Sequence, residues 1–283
     1  CAEHFAPIQL ALGVSDGSGI LINWLRETYM IHCDDGGDDP WVIIKIDLKN
    51  AFNMMSRTSF LAAIDNLPAG IRHLCKVLYA EYNCEGRTAS MGEFLEIIKR
   101  EGADQGDPRA MLAMCAVLQP HLQKLNDTLR DAHIDAGAKS HADDGYTCAP
   151  ASIAYEALDN FANEARVDGC VISYNKCEEY CKAHEIGSIN LLDLPGRNPE
   201  VKIGEIDGFY GIICQGVPIG GHEFIKRRLD MIIEEVQGDL KKMNETLGFF
   251  HYEMSMILNK CTSKRANHFL RHCLPGHTLD FAT

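Results

Sequence analysis

Hydrophobic and polar positions alternate along this chain with patterns typical of buried strands and amphipathic helices. An almost continuous apolar run, Trp41–Ile46, contains a single lysine and predicts a strand buried within a sheet. Residues 171–174 predict a second strand. Apolar residues spaced three and four apart predict helices over 20–29, 58–67, 71–79, 109–129, 152–167, 224–243 and 251–272. Ser152 is expected to cap the helix that it begins.

The stretch His141-Ala-Asp143-Asp144-Gly145 predicts a tight hairpin. Asp tolerates turn geometry, and Gly accepts the positive φ that such turns often need. Adjacent carboxylates repel each other unless a cation or a shared proton relieves them, so this tip is a candidate Mg²⁺ site; a solvated turn is the alternative. The resulting order of strand, helix, helix, hairpin, helix, strand predicts an α+β fold with an antiparallel sheet backed by helices.

A third carboxylate, Asp47, directly follows the buried run Trp41–Ile46. An unpaired charge at the end of a buried strand is costly unless a cationic partner or a metal compensates it. A fold that sets this strand beside the predicted hairpin would bring Asp47 close to Asp143 and Asp144. The three carboxylates would then share a pair of metal ions.

Composition limits the class of protein. The 283 residues suffice for one large or two small domains, and 46% hydrophobic with 24% charged residues is ordinary for a globular protein. The sequence lacks an apolar run of about 18 residues and a secretory signal pattern, so we expect no membrane partner and no secretion. The 12 cysteines lie within predicted helices and strands, which indicates a reducing compartment and an intracellular location, in the nucleus or cytoplasm.

The net charge of −13 opposes nucleic-acid binding, which usually draws on an excess of Lys and Arg. Part of the charge is local, because residues 34–39 form an acidic, glycine-containing run that predicts a solvated turn. The remainder indicates either that a basic part lies outside this sequence or that nucleic-acid affinity is low.

Four stretches, in this order, resemble motifs of the palm of reverse transcriptases, particularly those of non-LTR retrotransposons. They are Lys45-Ile-Asp47-Leu-Lys-Asn-Ala-Phe52-Asn53, Glu101-Gly-Ala-Asp-Gln105-Gly106-Asp107-Pro108, His141-Ala-Asp143-Asp144-Gly145 and Ser173-Tyr-Asn175-Lys176-Cys177-Glu178. A weaker likeness continues through residues 216–220. The resemblance implies a polymerase palm over residues 41–220, residual fingers and a linker helix over 1–40, and a helical, thumb-like segment over 221–283. It also implies a hairpin over residues 82–99, and basic finger strands upstream of residue 1, so we expect the sequence to be a fragment.

The activity implied by the resemblance is that of an RNA-directed DNA polymerase, with an RNA template, a DNA primer and dNTPs as partners. Nucleotidyl transfer would use two Mg²⁺ ions, or Mn²⁺ in their place. The implied metal ligands are Asp47, Asp143 and Asp144. These three aspartates would also be catalytic residues, together with Lys176, which would hold or protonate the leaving phosphates.

The resemblance also implies a substrate-binding set of four residues. The backbone carbonyl of Leu48 would complete a coordination shell. Phe52 would stack under the sugar and exclude a 2′-hydroxyl, although without the family it would be assigned to the core. Gln105 and Gly106 would line the pocket for template and nucleotide, Gly allowing close backbone approach.

Departures from the family pattern leave other functions open. His141 stands where the family has Tyr or Phe, and Arg109 and Ala110 follow Pro108 where it prefers an apolar and a small residue. The alternative function is therefore a truncated, catalytically inactive remnant that binds nucleic acid or protein. A palm-type cyclase is the third candidate function, because the Gln-Gly-Asp-Pro motif has no role in that class of enzyme.

Two groups of Cys and His contain zinc-ligand types, but neither has a C-x₂-C pair, and packing explains them better. The groups are Cys177, Cys181 and His184, and Cys261, His268, His272 and Cys273. The sequence does not indicate an oligomeric state.

Overall fold

The structure is a computed structural model. It describes residues 2–32, 39–73, 84–90, 93–99, 102–103, 108–247, 255–257, 268–269, 271–273 and 276, with 84–90, 93–99 and 108 as backbone. The helices named below are α1 (Ala2–Phe5), α2 (Gly17–His32), α3 (Ala51–Met54), α4 (Arg57–Ile64), α5 (Pro108–Ala132), α6 (Ala151–Ala165), α7 (Lys182–Glu185) and α8 (His222–Leu247). The strands are β1 (Trp41–Ile46), β2 (Cys84–Ser90), β3 (Glu93–Lys99), β4 (Gly137–His141), β5 (Asp144–Pro150), β6 (Glu178–Tyr180), β7 (Lys202–Ile203), β8 (Glu205–Ile206), β9 (Phe209–Cys214) and β10 (Val217–Gly220).

A five-stranded sheet with the order β4-β5-β1-β6-β7 forms the centre of the fold. β1 is antiparallel to β5 from Trp41↔Pro150 to Ile46↔Gly145, and antiparallel to β6 on its other side. The edge pair of β6 and β7 is parallel. The predicted α+β class is confirmed, and the sheet is antiparallel apart from this edge pair.

The central strand β1 is buried on both faces of the sheet. Val42, Ile44 and Ile46 pack in one cluster with residues of α4, α5 and α6. Ile43 packs in a second cluster with residues of α2, β9, β10 and α8. A strand covered on both sides needs apolar residues at successive positions, which explains the almost continuous run over Trp41–Ile46.

Most predicted elements are present in the structure. The helices predicted over 20–29, 58–67, 109–129 and 224–243 correspond to α2, α4, α5 and α8, and β2 pairs with β3 as the expected hairpin. Most of the helices predicted over 71–79 and 251–272 lies outside the described residues. The domain boundaries at residues 40 and 220 remain predictions.

The strand predicted over 171–174 is wrong. Ile172 forms a single bridge with Leu48, and the chain then turns, because the Ser173 carbonyl accepts hydrogen bonds from the N–H groups of Lys176 and Cys177. The strand that pairs with β1 on the side away from β5 is β6, which begins a few residues later. A short apolar run in the sequence is compatible with a single bridge and with a paired strand, and it does not distinguish the two.

A second sheet, with the order β10-β9-β8, was absent from the prediction. Its turns contain Asp207-Gly208 and Gln215-Gly216, and all four of these residues have positive φ. An Asp-Gly pair between apolar residues is a strong hairpin signal, so the β8–β9 turn was readable from the sequence. In the described part of the chain, no helix combines the length and apolar character of a membrane span.

Candidate active site

Two of the predicted carboxylates lie at the same end of the central sheet. The register of β1 and β5 ends at Ile46↔Gly145, and Asp47 and Asp144 are the residues next to this last pair on the two strands. Asp143 lies in the two-residue turn that joins β4 to β5, whose last pair is His141↔Asp144. The fold therefore brings the three aspartates to the same end of the central sheet, as the sequence predicts.

The turn geometry differs from the expectation for Gly145. The residue with positive φ is Ala142, at 58°, and Gly145 is an ordinary strand residue opposite Ile46. A Cβ at position 145 would lie 3.3 Å from the Cβ of Ile46, which is a tight contact. The glycine thus permits close packing of β5 against β1 beside the aspartates.

The buried side chain of Gln9 forms hydrogen bonds with the backbone of this turn. Its Oε1 accepts hydrogen bonds from the N–H of Ala142 at 2.9 Å and of Ala11 at 3.1 Å, and its Nε2 donates to the Ala142 carbonyl at 3.0 Å. The adjacent backbone is paired with β4, because Leu10 donates to the carbonyl of Ser140 at 2.8 Å. Gln9 therefore satisfies both polar groups of the residue before Asp143.

The backbone of Asp47 is fixed by the segment that contains the fourth motif. Its N–H donates to Cys177 Sγ at 3.4 Å, and its carbonyl accepts from the N–H of Ser173 at 2.8 Å. Its side-chain Oδ1 is buried and has no hydrogen-bond partner, and Lys176 Nζ is 3.9 Å away. Buried carboxylate oxygens normally have partners, so this atom is suited to a cation that binds at the site.

Asp144 is partly buried beside the other two aspartates. Burial raises the pKa of its carboxyl group above the ordinary value, and the charges of Asp143 and Asp47 raise it further. Lys45 and a 2.9 Å hydrogen bond from Gln215 Nε2 to Asp144 Oδ2 act in the opposite direction. The Gln215 carbonyl in turn accepts a 2.9 Å bond from the Nε2 of His268. The turn between β9 and β10 therefore stabilises the ionised Asp144 carboxylate through a hydrogen bond, and a bound cation would stabilise it further.

The donor set fits hard divalent cations, because all three predicted ligands are carboxylates. Their oxygens do not all lie within 4.8 Å of one another, so they do not form a closed site for a single ion. Two ions that share ligands are typically about 3.5 to 4 Å apart, and such a pair does not require all three carboxylates to meet at one point.

The predicted substrate-binding residues are only partly described. Leu48 is buried next to Asp47 and forms a β-bridge with Ile172. The hydrogen bonds of this bridge join Lys49 to Val171 and Ser173 to Asp47, so they use neither the N–H nor the carbonyl of Leu48. Phe52 is half-buried on α3, where its carbonyl accepts from Ala103 at 2.7 Å. Gln105 and Gly106 lie outside the described residues. The preceding Gly102–Ala103 segment is docked on α3, close to Phe52.

The two groups of Cys and His do not form metal clusters among the described residues. Burial raises the pKa of the Cys177 thiol to about 11, and His184 Nδ1 accepts a 3.3 Å hydrogen bond from the N–H of Leu191. In the second group, Cys261 lies outside the described residues. The described part of the chain does contain a different group of possible metal ligands, His32, His133 and Asp135, which the sequence reading missed.

No protein-family model matches the chain, and no curated protein matches it. Similar solved structures include telomerase from Candida albicans with a fragment of telomeric RNA, at 13% identity and a TM-score of 0.48, covering 62% of this chain and 32% of that one. Apo telomerase from Candida tropicalis, truncated from its C-terminal domain, is similar at 12% identity and a TM-score of 0.44, covering 60% and 36%. This chain therefore spans about a third of the length of those chains. The likeness assigns no activity, substrate or residue role here.

Proposed function

We propose that this chain contains the catalytic centre of an RNA-directed DNA polymerase derived from a non-LTR retroelement. It would transfer nucleotides from dNTPs to the 3′-hydroxyl of a DNA primer on an RNA template. The observation that carries the proposal is the placement of Asp47 and Asp144 at the same end of β1 and β5, with Asp143 in the adjoining turn. The resemblance of four sequence motifs, in the family's order, supports it.

The residues have distinct roles in the proposed mechanism. Asp47 would offer Oδ1, which accepts no hydrogen bond, and Asp144 the oxygen that Gln215 does not bind, while Asp143 would contribute from the turn. When bound, a pair of Mg²⁺ ions would lower the pKa of the primer hydroxyl and stabilise negative charge on the triphosphate. Lys45 would help to keep Asp144 ionised.

Two further side chains would act on the nucleotide. Lys176 is largely exposed and lies 3.9 Å from Asp47, so its flexible ammonium group can contact the leaving phosphates. Phe52 lies on α3, shortly after the end of β1 and Asp47. Its ring would stack under the sugar and exclude a 2′-hydroxyl. Its contact with Ala103 through the backbone fixes α3 beside the segment that leads to Gln105 and Gly106.

The proposed reaction implies an intracellular, reducing location, in the nucleus or cytoplasm. Seven described cysteines are buried thiols, which is compatible with such a compartment. They are Cys115, Cys148, Cys170, Cys177, Cys181, Cys214 and Cys273.

Primer extension tests the proposal. The chain is mixed with an RNA template, a DNA primer, dNTPs and Mg²⁺, and compared with Asp47→Asn and Asp143→Asn. Because both substitutions remove negative charge that would hold the ions, we expect extension to fall by a factor on the order of 10² to 10³. Asp131→Asn is the matched control, because Asp131 is exposed at the end of α5.

Extension that survives both substitutions would overturn the catalytic assignment. The second candidate function, an inactive remnant that binds nucleic acid or protein, is favoured by the net charge of −13 and by His141 at the head of the hairpin motif. It predicts that Mg²⁺ or Mn²⁺ binds and is lost in Asp143→Asn, while neither dNTP binding nor extension is detected with either ion.

A further inference from the structure

A cluster of metal-ligand side chains lies away from the three aspartates. His32 is the last residue of α2, and His133 and Asp135 lie in the segment between α5 and β4. The Nε2 atom of His32 is 3.0 Å from Asp135 Oδ2. One ligand atom from each of the three residues lies within 4.8 Å of the others. Residues that are far apart in sequence thus converge at one point.

The indole of Trp41 holds both imidazole rings. His32 stacks on it with ring centroids 4.0 Å apart and planes at 7°, and His133 meets it edge-on at 5.0 Å and 88°. Rings that are already packed lose less conformational freedom when they bind a ligand. The cluster is therefore partly preorganised.

Trp41 begins β1 and Asp47 follows its end, so the strand separates the two sites by roughly 20 Å. The cluster is therefore spatially separate from the proposed polymerase centre. It also links three elements, because α2, β1 and the segment before β4 all contribute to it.

An ion pair between His32 and Asp135 explains only part of this arrangement. Asp135 is half exposed, and exposed ion pairs contribute about 0 to 1 kcal/mol. Such a pair does not account for the second imidazole. His133 Nδ1 accepts a 3.2 Å hydrogen bond from the N–H of Asp135. A metal ion bound to His133 Nδ1 would replace this hydrogen bond, and the imidazole proton would stay on Nε2.

We propose that His32, His133 and Asp135 form a binding site for a transition-metal ion of the Zn²⁺ class. Two imidazole nitrogens and one carboxylate oxygen suit Zn²⁺ or Co²⁺, whereas Mg²⁺ prefers oxygen ligands alone. Ligands of a tetrahedral Zn²⁺ ion lie about 2.0 to 2.2 Å from it, so the side chains must approach one another slightly. The exposed Asp135 side chain is free to make this adjustment, and water would supply the fourth ligand.

Binding at this cluster would connect the end of α2 to the start of β4. A ligand that binds the folded state and not the unfolded state raises stability by mass action. Because β4 leads directly into the turn that carries Asp143, the ion would act as a structural clamp on the hairpin. It would not take part in nucleotidyl transfer.

Titration with Co²⁺ and Zn²⁺ tests the site. The reduced, metal-free chain is titrated in excess Mg²⁺, which occupies oxygen-only sites, and Co²⁺ binding is followed by its d–d absorption. His133→Phe keeps an aromatic ring against Trp41 and removes a ligand, and Asp135→Asn weakens another. We expect each to lower affinity about tenfold or more, and Zn²⁺ to raise the melting temperature of the unsubstituted chain but not of these two variants.

The matched control is His73→Ala, because His73 is an exposed histidine outside the cluster. It should bind Co²⁺ as the unsubstituted chain does, and so should Asp143→Asn, which separates this site from the proposed polymerase centre. Unchanged affinity in His133→Phe and Asp135→Asn would overturn the assignment. A strong sulfur-to-cobalt charge-transfer band would also overturn it, because it would show thiolate ligands.

Discussion

At the residue scale, the turn that carries Asp143 depends on one buried glutamine. Gln9 binds both backbone polar groups of Ala142, which has a φ that non-glycine residues seldom adopt. Without such a partner, a buried N–H and a buried carbonyl would be left unsatisfied. The position of Asp143 is therefore set by a side chain more than 130 residues away in sequence.

Replacing Gln9 with Ala should destabilise the protein by about 1 to 3 kcal/mol, the cost of leaving buried polar groups unpaired. We also expect weaker binding of Mn²⁺ to the aspartates, because the turn that presents Asp143 would be less well fixed. Urea unfolding and Mn²⁺ titration measure the two effects. Gln123→Ala, at an exposed position on α5, is the control and should change neither. Normal stability in Gln9→Ala would contradict the role assigned to these bonds.

The site aspartates were predictable because each follows a strand or a turn that the sequence marks clearly. Gln9 and Gln215 were not, since a neutral amide has no sequence pattern of its own and its partners are set by the tertiary fold. The only local signal near Gln215 is the Gln-Gly pair at a turn, which indicates a hairpin but not a contact with Asp144.

At the element scale, the start of α6 shows how a cap can come from elsewhere in the chain. Ser152 does not cap the helix, because the helix begins at Ala151 and the residue before it, Pro150, makes no side-chain cap bond. Instead Asp39 accepts hydrogen bonds from the Ser152 N–H at 2.9 Å and from its hydroxyl at 2.6 Å. The acidic run was expected to form a solvated turn; its last residue, Asp39, is exposed and also caps α6.

Asp39→Ala should therefore lower the free energy of unfolding by about 0.5 to 2 kcal/mol, as the loss of a helix cap does. Ser152→Ala should cost less, because its backbone N–H still reaches Asp39. The double variant should be close to Asp39→Ala alone, since the two residues share one interaction. Chemical denaturation of the three variants measures this. Additive losses would show that the two side chains act independently.

At the scale of the whole molecule, two hydrophobic clusters enclose the central sheet from its two faces. A polar contact on the periphery of the first cluster joins three helical segments. Asp168 accepts hydrogen bonds from Ser59 Oγ of α4 at 2.6 Å and from His121 Nε2 of α5 at 2.7 Å. Partial burial raises the pKa of Asp168, but these hydrogen bonds and the charge of His121 outweigh burial and lower it below the ordinary 3.8.

A carboxyl group with a lowered pKa in the folded state binds protons less readily there than in the unfolded state. Its contribution to stability is therefore complete above pH 3.8 and is lost as pH falls through the lowered value. Asp168→Asn should reduce the free energy of unfolding by about 1 to 2 kcal/mol at neutral pH. The difference in the free energy of unfolding between this variant and the unsubstituted chain should shrink as the pH falls below 3.8.

Urea unfolding at a series of pH values measures this difference directly. Asp131→Asn is the control, because Asp131 is an exposed acid on α5 and its replacement should follow the unsubstituted chain at every pH. A difference between Asp168→Asn and the unsubstituted chain that stays constant on acidification would contradict the linkage.

The sequence alone determined the α+β class, the bounds of β1, the course of the long helices and the three carboxylates of the candidate site. These features depend on local periodicity, on charges placed at strand ends and on turn chemistry, all of which are encoded within short stretches. β1 is the clearest case, because burial on both faces requires the apolar run that the sequence shows.

Only the tertiary structure decided the register that brings Asp47 and Asp144 to the same end of β1 and β5, the Gln9 and Gln215 contacts, the Asp39 cap and the cluster of His32, His133 and Asp135. Each joins segments distant in sequence, and local propensities carry no information about which of many polar side chains will meet. The same reason explains the wrong strand at 171–174, since pairing with β1 was determined by the folded sheet and not by the apolar character of the run.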